Sequence, residues 1–517
     1  MRIATNVSAI VSNNALQKSQ DRLTKSIARL SSGYKINSSS DDAAGYAISE
    51  KMRLQLRGFN QADTNAADGV SVLHTAEGAM EEIQSMLARM KELSVQAANG
   101  TNSVDERSAI QSEIDSLNSE IDRISSNTEF NSQTLISGNL SRRVYSNYEG
   151  VNQIEVSDNF VAGNYGITIT QDARQAIVVG NGAVTMSDTA TVTKEQAGTI
   201  SMNGYGIEIS EGDTLAGIMG KLVDGADKIG GRVFAITAGA TNDTKVNGTD
   251  YAGYEPQTSY AGNNIVFMTK ESGSSKTMNI TCSNAELANM LGIATAATNS
   301  GMYAEGSDVQ AEFTLDNDGK RVGFADSAVI STSGTRVTVK DVNNRTFVTD
   351  VPSNVAGTQF SDTAKADDKS TATSTQTAKV TQEVTDVGTM SVHVGANENQ
   401  VILIDIPAVT SYTLGTENLN VMTSVTASEA IDTIDTAVAY ANRVRSQMGA
   451  YENRFEHTTN NLGTASENLT SAISTMTDTD MAEEMTEYTS LNVMTQAATS
   501  ILAQANERPS TVLQILQ

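Results

Sequence analysis

The sequence has very few of the residues that carry most enzyme chemistry. Its 517 residues include one cysteine, three histidines, four prolines and no tryptophan, and aromatic residues make up only 5% of the chain. Cys282 alone cannot form an internal disulfide, and His74, His393 and His457 are too widely spaced in sequence for a zinc motif. We therefore expect no catalytic residues, no cofactor and no metal, and we interpret His74 as a packed or surface side chain.

Basic residues are also scarce, and long apolar runs are absent. The chain has 35 basic against 61 acidic residues, a net charge of −26, which argues against nucleic acid as a partner because polyanion binding needs a basic face. No apolar run of 18 residues and no secretory signal can be found, so we expect no membrane insertion. The protein is then either cytosolic or exported by a route that cleaves no such signal.

Glycine and proline divide the chain into three parts. Residues 1–138 hold seven glycines and no proline, and the end of the chain from about 426 holds two glycines and one proline. The middle holds the other 29 glycines. Because glycine and proline disfavour helix interiors, the two ends suit long helices and the middle suits strands and turns.

The C-terminal arm has an apolar residue at every seventh position. This row consists of Ile434, Ala441, Met448, Phe455, Leu462, Leu469 and Met476. A second row, three residues earlier, runs from Ile431 to Ile473 and is partly polar. A long helix with one apolar and one mixed row should pack against partner helices.

The N-terminal arm has matching rows. Leu73, Met80 and Leu87 form one, and Ala76, Ile83, Met90 and Ala97 form another. A reversal is predicted at residues 99–102, followed by a return helix with Ile110, Ile114, Leu117, Ile121 and Ile124. These helices and the C-terminal helix predict an antiparallel bundle, although each could instead form a self-contained coiled coil.

The extreme ends are only weakly amphipathic. Their candidate assembly residues are Leu16, Leu23, Ile27, Leu30, Ile501, Leu502, Val512, Leu513 and Leu516. Such helices are marginal alone and should order mainly by packing against copies of themselves. The alternative, a helix on a membrane surface, is disfavoured because the basic polar face and large aromatic residues are missing.

The middle, about 141–425, is predicted to be β-rich. Alternation occurs at 167–170, 207–209, 337–339 and 401–406, and Asn-Gly or Asp-Gly turns occur at 203–204, 247–248 and 318–319. Short helices are expected after Asp213 and Asn284. Residues 361–385 have no large apolar anchors and are interpreted as a linker or long loop.

Both arms resemble bacterial flagellin. The resemblance rests on residues 3–6, 30–37 and 41–45 at one end, and on 501–506 and 512–516 at the other. It covers about 140 N-terminal and 90 C-terminal residues. In this family the acidic pair Asp41 and Asp42 would precede a helix, which favours a helix cap over acid–base chemistry.

The resemblance implies a mixed α and β fold, with a long helical coiled coil or bundle formed by the two arms and β-rich outer domains inserted between them. It implies four domains. These are 1–42 with 478–517 as the inner coiled coil, 43–172 with 388–477 as the helical bundle with a β-hairpin, 173–300 as an outer β-rich domain containing an insert-like module at 199–237, and 301–387 as a second outer β-rich domain with a linker.

The resemblance also implies a function and a set of partners. The chain would be a non-enzymatic subunit, exported unfolded and polymerised with itself into the extracellular flagellar filament that drives swimming. Its partners would be the flagellar export apparatus, an export chaperone at the C-terminal arm, the filament cap and hook-junction proteins. Two alternatives stay open. One is a hook–filament junction protein, and the other is a flagellin whose outer domain carries a hydrolase or an adhesin.

One surface on the N-terminal arm resembles the flagellin patch that Toll-like receptor 5 recognises. Its residues are Arg89, Glu92, Leu93 and Gln96, with Glu113 on the return helix. An exposed leucine between charged residues is a plausible binding hot spot. The resemblance implies that the receptor would bind the monomer here, because axial neighbours in a filament would cover the same face.

Overall fold

The computed structural model describes residues 6–157, 160–237, 260–293, 301–316, 318–342, 345–353, 355–356, 359–361, 371–374, 377–385 and 387–516. Side chains are described for these residues except 359–361, 371–374 and 509–516. The turn predicted at Asn247 and Gly248 lies outside the described residues.

Three of the described helices are much longer than the rest and lie in the two arms. In chain order the helices are α1 (Val7–Ser32), α2 (Ala43–Ala98), α3 (Val104–Asn127), α4 (Leu215–Lys228), α5 (Ala285–Met290), α6 (Ser411–Leu414), α7 (Ser424–Thr477) and α8 (Met481–Leu516). The predicted short helices are confirmed as α4 and α5, whose first turns are capped by Thr214 and Asn284. None of the described helices is long and apolar enough to cross a membrane.

Almost all described strands lie in the middle of the chain. They are β1 (Glu129–Phe130), β2 (Gln133–Thr134), β3 (Val144–Ser146), β4 (Asn152–Val156), β5 (Gly163–Gln171), β6 (Gln175–Val179), β7 (Gly198–Met202), β8 (Tyr205–Ile209), β9 (Gly231–Thr237), β10 (Asn263–Ser272), β11 (Thr277–Cys282), β12 (Met302–Glu305), β13 (Gln310–Phe313), β14 (Val329–Ser333), β15 (Arg336–Lys340), β16 (Thr346–Asp350), β17 (Gln359–Ser361), β18 (Thr371–Ser374), β19 (Ala378–Val384), β20 (Met390–His393) and β21 (Val401–Ile404). Long helical arms around a β-rich middle confirm the predicted fold class.

The chain forms two compact units. The first comprises Met1–Val70, Val392–Ile402 and Asn453–Gln517, and the second comprises Ser71–Ser391 and Leu403–Glu452. Their boundaries fall inside α2 and α7 and therefore differ from the expected boundaries at 42/43 and 477/478.

In the first unit, α1 and α8 run antiparallel. The backbone segments that follow α1 and precede α8 are paired, because Lys35 donates its N–H to Thr477 and Thr479 donates its N–H to Gly33. Asp42 caps α2, since its Oδ1 accepts from the N–H groups of Ala44 at 3.1 Å and Gly45 at 3.0 Å. The capping role predicted for the acidic pair is thus confirmed for Asp42.

The second unit contains two β-rich cores. In one, the sheet β12-β11-β7-β8 and the sheet β6-β10-β9 enclose aliphatic side chains from α4 and α5. Asn203 and Gly204, both with positive φ, form the predicted hairpin turn between β7 and β8. The module expected at 199–237 therefore contributes to two sheets, because β9 pairs with β10 and not with β7 or β8.

The other core lies between the sheet β13-β5-β19-β3 and the sheet β14-β15-β16-β4. It corrects two expectations. Strands β4 and β5 share this core with β15, β16 and β19, so residues 144–171 do not belong with the helical bundle. Residues 378–384 are a central strand rather than part of a linker, with Ala378, Val380 and Val384 buried.

Candidate assembly and recognition surfaces

Several polar contacts connect helices α1 and α8. Asn6 Nδ2 donates to the carbonyl oxygen of Ala505 at 2.8 Å, and Arg22 pairs with Glu487 at 2.9 Å. Arg29 lies 3.6 Å from Glu484. These contacts set the register of the pair, but exposed ion pairs contribute at most about 1 kcal/mol each.

Many large apolar side chains on the same two helices face solvent. They are Val7, Ile10, Val11, Ile27, Met481, Met485, Val493, Met494 and Ile501. Among the described side chains of α1 and α8, the fully buried ones are few, namely Ser26, Glu484, Leu491 and Ala505. The pair therefore leaves these nine apolar side chains largely uncovered.

The predicted assembly residues on these helices fall into three groups. Leu16, Leu23, Leu30 and Leu502 are half-buried. Ile27 and Ile501 are 48% and 56% exposed. The side chains of Val512, Leu513 and Leu516 lie outside the described residues, although α8 extends to Leu516.

The predicted seam residues are almost all inside the protein. In the second unit the buried ones are Leu73, Met80, Leu87, Ile114, Ile121, Ile434 and Met448. In the first unit Phe455 and Leu462 are buried and Leu469 is half-buried.

Helix α7 also has a buried row that the spacing did not predict. The fully buried row comes three residues after the first and consists of Ala437, Val444 and Tyr451, not Val438 and Arg445. Val438 and Arg445 are half-buried.

Polar side chains fix the antiparallel register of α2 and α7 in the second unit. Lys91 pairs with Asp435, and Gln84 Nε2 donates to Asn442 Oδ1 at 3.2 Å. One turn further along α7, Arg445 pairs with Glu77 at 3.2 Å. The mixed row of α7 therefore supplies specific interhelical contacts beside the apolar seam.

The contacts between α2 and α7 also bring together three possible metal ligands that the sequence analysis did not predict. His74 Nε2 lies 3.5 Å from Glu452 Oε1, and Glu77 is on the same side of α2. The signal available in the sequence was the spacing of His74 and Glu77, three residues apart on a predicted helix. The third member, Glu452, could not be predicted from spacing, because it lies on a different helix far along the chain.

The predicted receptor patch is a charged cluster. The Arg89 guanidinium donates to Glu113 at 2.9 Å and to Glu92 at 3.2 Å, and all three side chains are exposed. The hydrogen bonds that Arg89 donates to Glu113, the larger effect, and to Glu92 raise the pKa of Arg89. Gln96 is also exposed, so four of the five predicted residues form one accessible surface.

Leu93 departs from this expectation. It is only 2% exposed, so the prediction of an exposed apolar hot spot is wrong. Here α2 is covered from two directions, because α3 contacts it through Arg89 and Glu113 while α7 contacts it through Asp435 and Lys91. A helix with two neighbours buries more than one row of side chains, and Leu93 lies in the second row.

Comparisons with known proteins agree with these arms. Residues 3–141 match the bacterial flagellin N-terminal helical region, and residues 431–516 match the bacterial flagellin C-terminal helical region. A flagellin of Clostridium tyrobutyricum is 31% identical over 510 residues, which cover 96% of this chain and 98% of that protein. The chain belongs to the flagellin family. A flagellin of Salmonella typhimurium strain LT2 is 30% identical over 547 residues, covering 100% of this chain and 99% of that protein.

Membership of the flagellin family establishes the general role of the protein. The protein is a structural subunit of the bacterial flagellar filament and not an enzyme. Flagellins polymerise with themselves and form the extracellular filament. The similarity runs through the β-rich middle as well as the arms, since the aligned flagellins are matched over nearly their whole length.

Proposed function

We propose that this flagellin polymerises through the exposed apolar faces of α1 and α8. The observation that carries the proposal is the set of nine large apolar side chains on these helices that face solvent. About half of each remains to be covered, which corresponds to roughly 1 kcal/mol per side chain on burial. Together they supply on the order of 10 kcal/mol, comparable with the cost of fixing one subunit against its neighbours.

Seeded elongation tests this proposal. The variant Ile27→Gln/Val493→Gln replaces two exposed apolar side chains by polar ones of similar size, and we expect elongation on filament seeds at least tenfold slower than for the wild type. Lys25→Gln, an exposed position on α1, should elongate within twofold of the wild type. Unchanged elongation of the double variant, with normal helical content, would contradict the proposal.

The export partners belong to the same proposal. The chain would leave the cell unfolded through the flagellar export apparatus, and a flagellin export chaperone would cover α8 before assembly. Met481, Met485 and Met494 are exposed and flexible side chains suited to such a contact. A peptide of residues 478–517 should therefore bind a flagellin export chaperone in calorimetry, and Met485→Glu/Met494→Glu should weaken binding at least tenfold.

Cap and hook-junction proteins would contact the two ends of the assembled filament.

A second proposed role is recognition of the monomer by Toll-like receptor 5. It is supported by the exposed cluster of Arg89, Glu92 and Glu113, with Gln96 beside it. Because Leu93 is buried, the contact would depend on the charged and amide groups. Charge-assisted hydrogen bonds to a receptor could then replace those within the cluster.

The receptor role is tested with Arg89→Ala and a matched control. Arg123→Ala removes another exposed arginine that pairs with a glutamate three residues away, Glu120, but lies outside the patch. We expect Arg89→Ala to weaken binding of the monomer to the receptor ectodomain at least tenfold and Arg123→Ala to leave it unchanged. Leu93→Ala is unsuitable, because loss of a buried leucine would lower the stability of the unit.

A further inference from the structure

Three metal-binding side chains meet on the surface of the second unit, outside every surface described above as an assembly or receptor site. They are His74 and Glu77 on α2 and Glu452 on α7. One ligand atom from each, the imidazole nitrogen and one oxygen of each carboxylate, lies within 4.8 Å of the other two. Within the part of the chain that the structure describes, this is the one group of three such residues.

The spacing fits a small divalent cation with little rearrangement. Bonds of about 2.0–2.1 Å to nitrogen and oxygen in a tetrahedral site place neighbouring ligand atoms about 3.3 Å apart. His74 Nε2 and Glu452 Oε1 are already 3.5 Å apart. The third ligand, an oxygen of Glu77, is on α2 one helical turn from His74 and already lies within 4.8 Å of the other two ligand atoms, so a small rotation of this side chain brings it into range.

A neighbouring side chain supports one of the carboxylates. Arg445 Nη2 lies 3.2 Å from Glu77 Oε1, and the same guanidinium donates to Gln84. Ligating carboxylates in metal sites are commonly held by such a second hydrogen bond, which fixes their orientation. The positive charge of Arg445 also offsets part of the charge of the two glutamates, which lets the three ligands approach one another without an ion.

The donor set selects the kind of ion. Imidazole nitrogen with two carboxylates suits Zn²⁺ and similar first-row divalent ions, whereas Mg²⁺ and Ca²⁺ prefer sites made of oxygen alone. Three protein ligands leave one coordination position for water. The side chains of His74, Glu77 and Glu452 are 59%, 38% and 39% exposed, so the site is open to ions from solution.

We propose that His74, Glu77 and Glu452 form a Zn²⁺ site that links α2 to α7. Both helices contribute ligands, so a bound ion connects them at the same turn where Arg445 and Glu77 already meet. The ion binds the folded monomer and not the unfolded chain, and it therefore stabilises the helical part of the second unit by an amount that grows with the logarithm of its concentration once the site is saturated. The proposal does not depend on how the subunit polymerises.

Calorimetric titration of the full-length monomer with ZnCl₂ in a buffer free of chelators tests the site. We expect one ion per chain, no displacement by a hundredfold excess of Mg²⁺, and a higher unfolding temperature with Zn²⁺. His74→Gln and Glu452→Gln should each weaken binding at least tenfold. His457→Gln, which changes an exposed histidine on α7 outside the group, should bind as the wild type does.

Cobalt provides a second readout that depends on the ligands rather than on stability. Co²⁺ bound to nitrogen and oxygen donors should give a visible absorption band that Zn²⁺ abolishes and that is missing in His74→Gln. Circular dichroism of the variants shows whether they keep their helices, as expected for changes at exposed positions. The proposal would be overturned if the wild type did not bind Zn²⁺, or if His74→Gln bound it as tightly as the wild type.

Discussion

Gly69 on α2 lies against the aromatic ring of Phe455 on α7. A Cβ atom at Gly69 would be 2.9 Å from Cζ of that ring and 3.1 Å from Cε1. Phe455 is fully buried, so its ring cannot swing out into solvent to make room. A glycine in the interior of a long helix normally destabilises the helix. Here the close approach of the ring explains why a residue without a side chain stands at this position.

Gly69→Ala should therefore be less stable than Gly78→Ala, although both replace a glycine in the same helix. Each gains about 1 kcal/mol of helix propensity. At Gly78 nothing lies within 4 Å of the new Cβ, so the gain should be kept. At Gly69 overpacking costs about 1–3 kcal/mol, so we expect the two variants to differ by that amount. Chemical unfolding of the monomers, followed by circular dichroism, measures the difference, and equal stabilities would refute the packing role of Gly69.

Asp42→Ala should weaken the start of α2. The carboxylate accepts from two of the first N–H groups of the helix, and loss of such a cap costs about 0.5–2 kcal/mol. Asp42→Ser should recover most of the loss, because serine is also a good capping residue. Hydrogen exchange at Ala44 and Gly45 gives a local measurement. Exchange that is the same in wild type and Asp42→Ala would show that the cap does not hold the first turn.

Arg443→Met should destabilise the second unit much more than Arg123→Met. Arg443 contacts both carboxylate oxygens of Glu155 at 3.2 and 2.7 Å, and the side chain of Glu155 is only 9% exposed. Loss of the partner leaves a buried carboxylate without its charged donor, which costs about 1.5–3 kcal/mol. The exposed pair of Arg123 and Glu120 is worth at most about 1 kcal/mol. Denaturant unfolding compares the two variants directly, and equal losses would contradict a special role for the buried pair.

Glu429 should make the stability of the second unit depend on pH. Burial raises the pKa of Glu429 above its ordinary value of 4.5, while Lys276, 3.9 Å away, opposes the shift. Since the folded protein then binds this proton more tightly than the unfolded chain, ionised Glu429 lowers stability at pH values above its folded pKa. The penalty disappears as the pH falls through the folded pKa towards 4.5.

Glu429→Gln should therefore raise the free energy of unfolding at neutral pH and lose that advantage as the pH falls to about 4.5. Lys276 keeps a partner in this variant, because Glu271 lies 2.8 Å away. Unfolding curves at several pH values test the expectation. A variant that is less stable than the wild type at neutral pH would mean that attraction to Lys276 outweighs the cost of burying Glu429.

The heptad rows were readable because a single helix repeats its contacts every two turns. Leu73, Met80 and Leu87 are buried as their spacing predicts, and so is the row from Ile434 to Phe455. Spacing does not show how many neighbours a helix has. The burial of Leu93 was therefore predicted wrongly, and the buried row of Ala437, Val444 and Tyr451 was not predicted, since both depend on where the partner helices lie.

The strand pairing of the β-rich middle was harder to predict, because paired strands are far apart in sequence. Strand β5 pairs with β13 and β19, more than a hundred residues away, and no local turn signal records such a pairing. One signal was overlooked. In β19 the buried residues Ala378, Val380, Gln382 and Val384 alternate with more exposed ones, and this period of two distinguishes a strand from a linker even without large side chains.

The exposed apolar side chains of α1 and α8 have a consequence for how filaments begin. In the proposed mode of assembly, a subunit that joins an existing end would meet neighbours whose apolar faces are already in place, whereas two free subunits would cover only part of each other's surface. Addition to an end would therefore gain more free energy than the first encounters between free subunits. We expect spontaneous assembly to show a lag phase and a critical concentration, and preformed seeds to remove the lag.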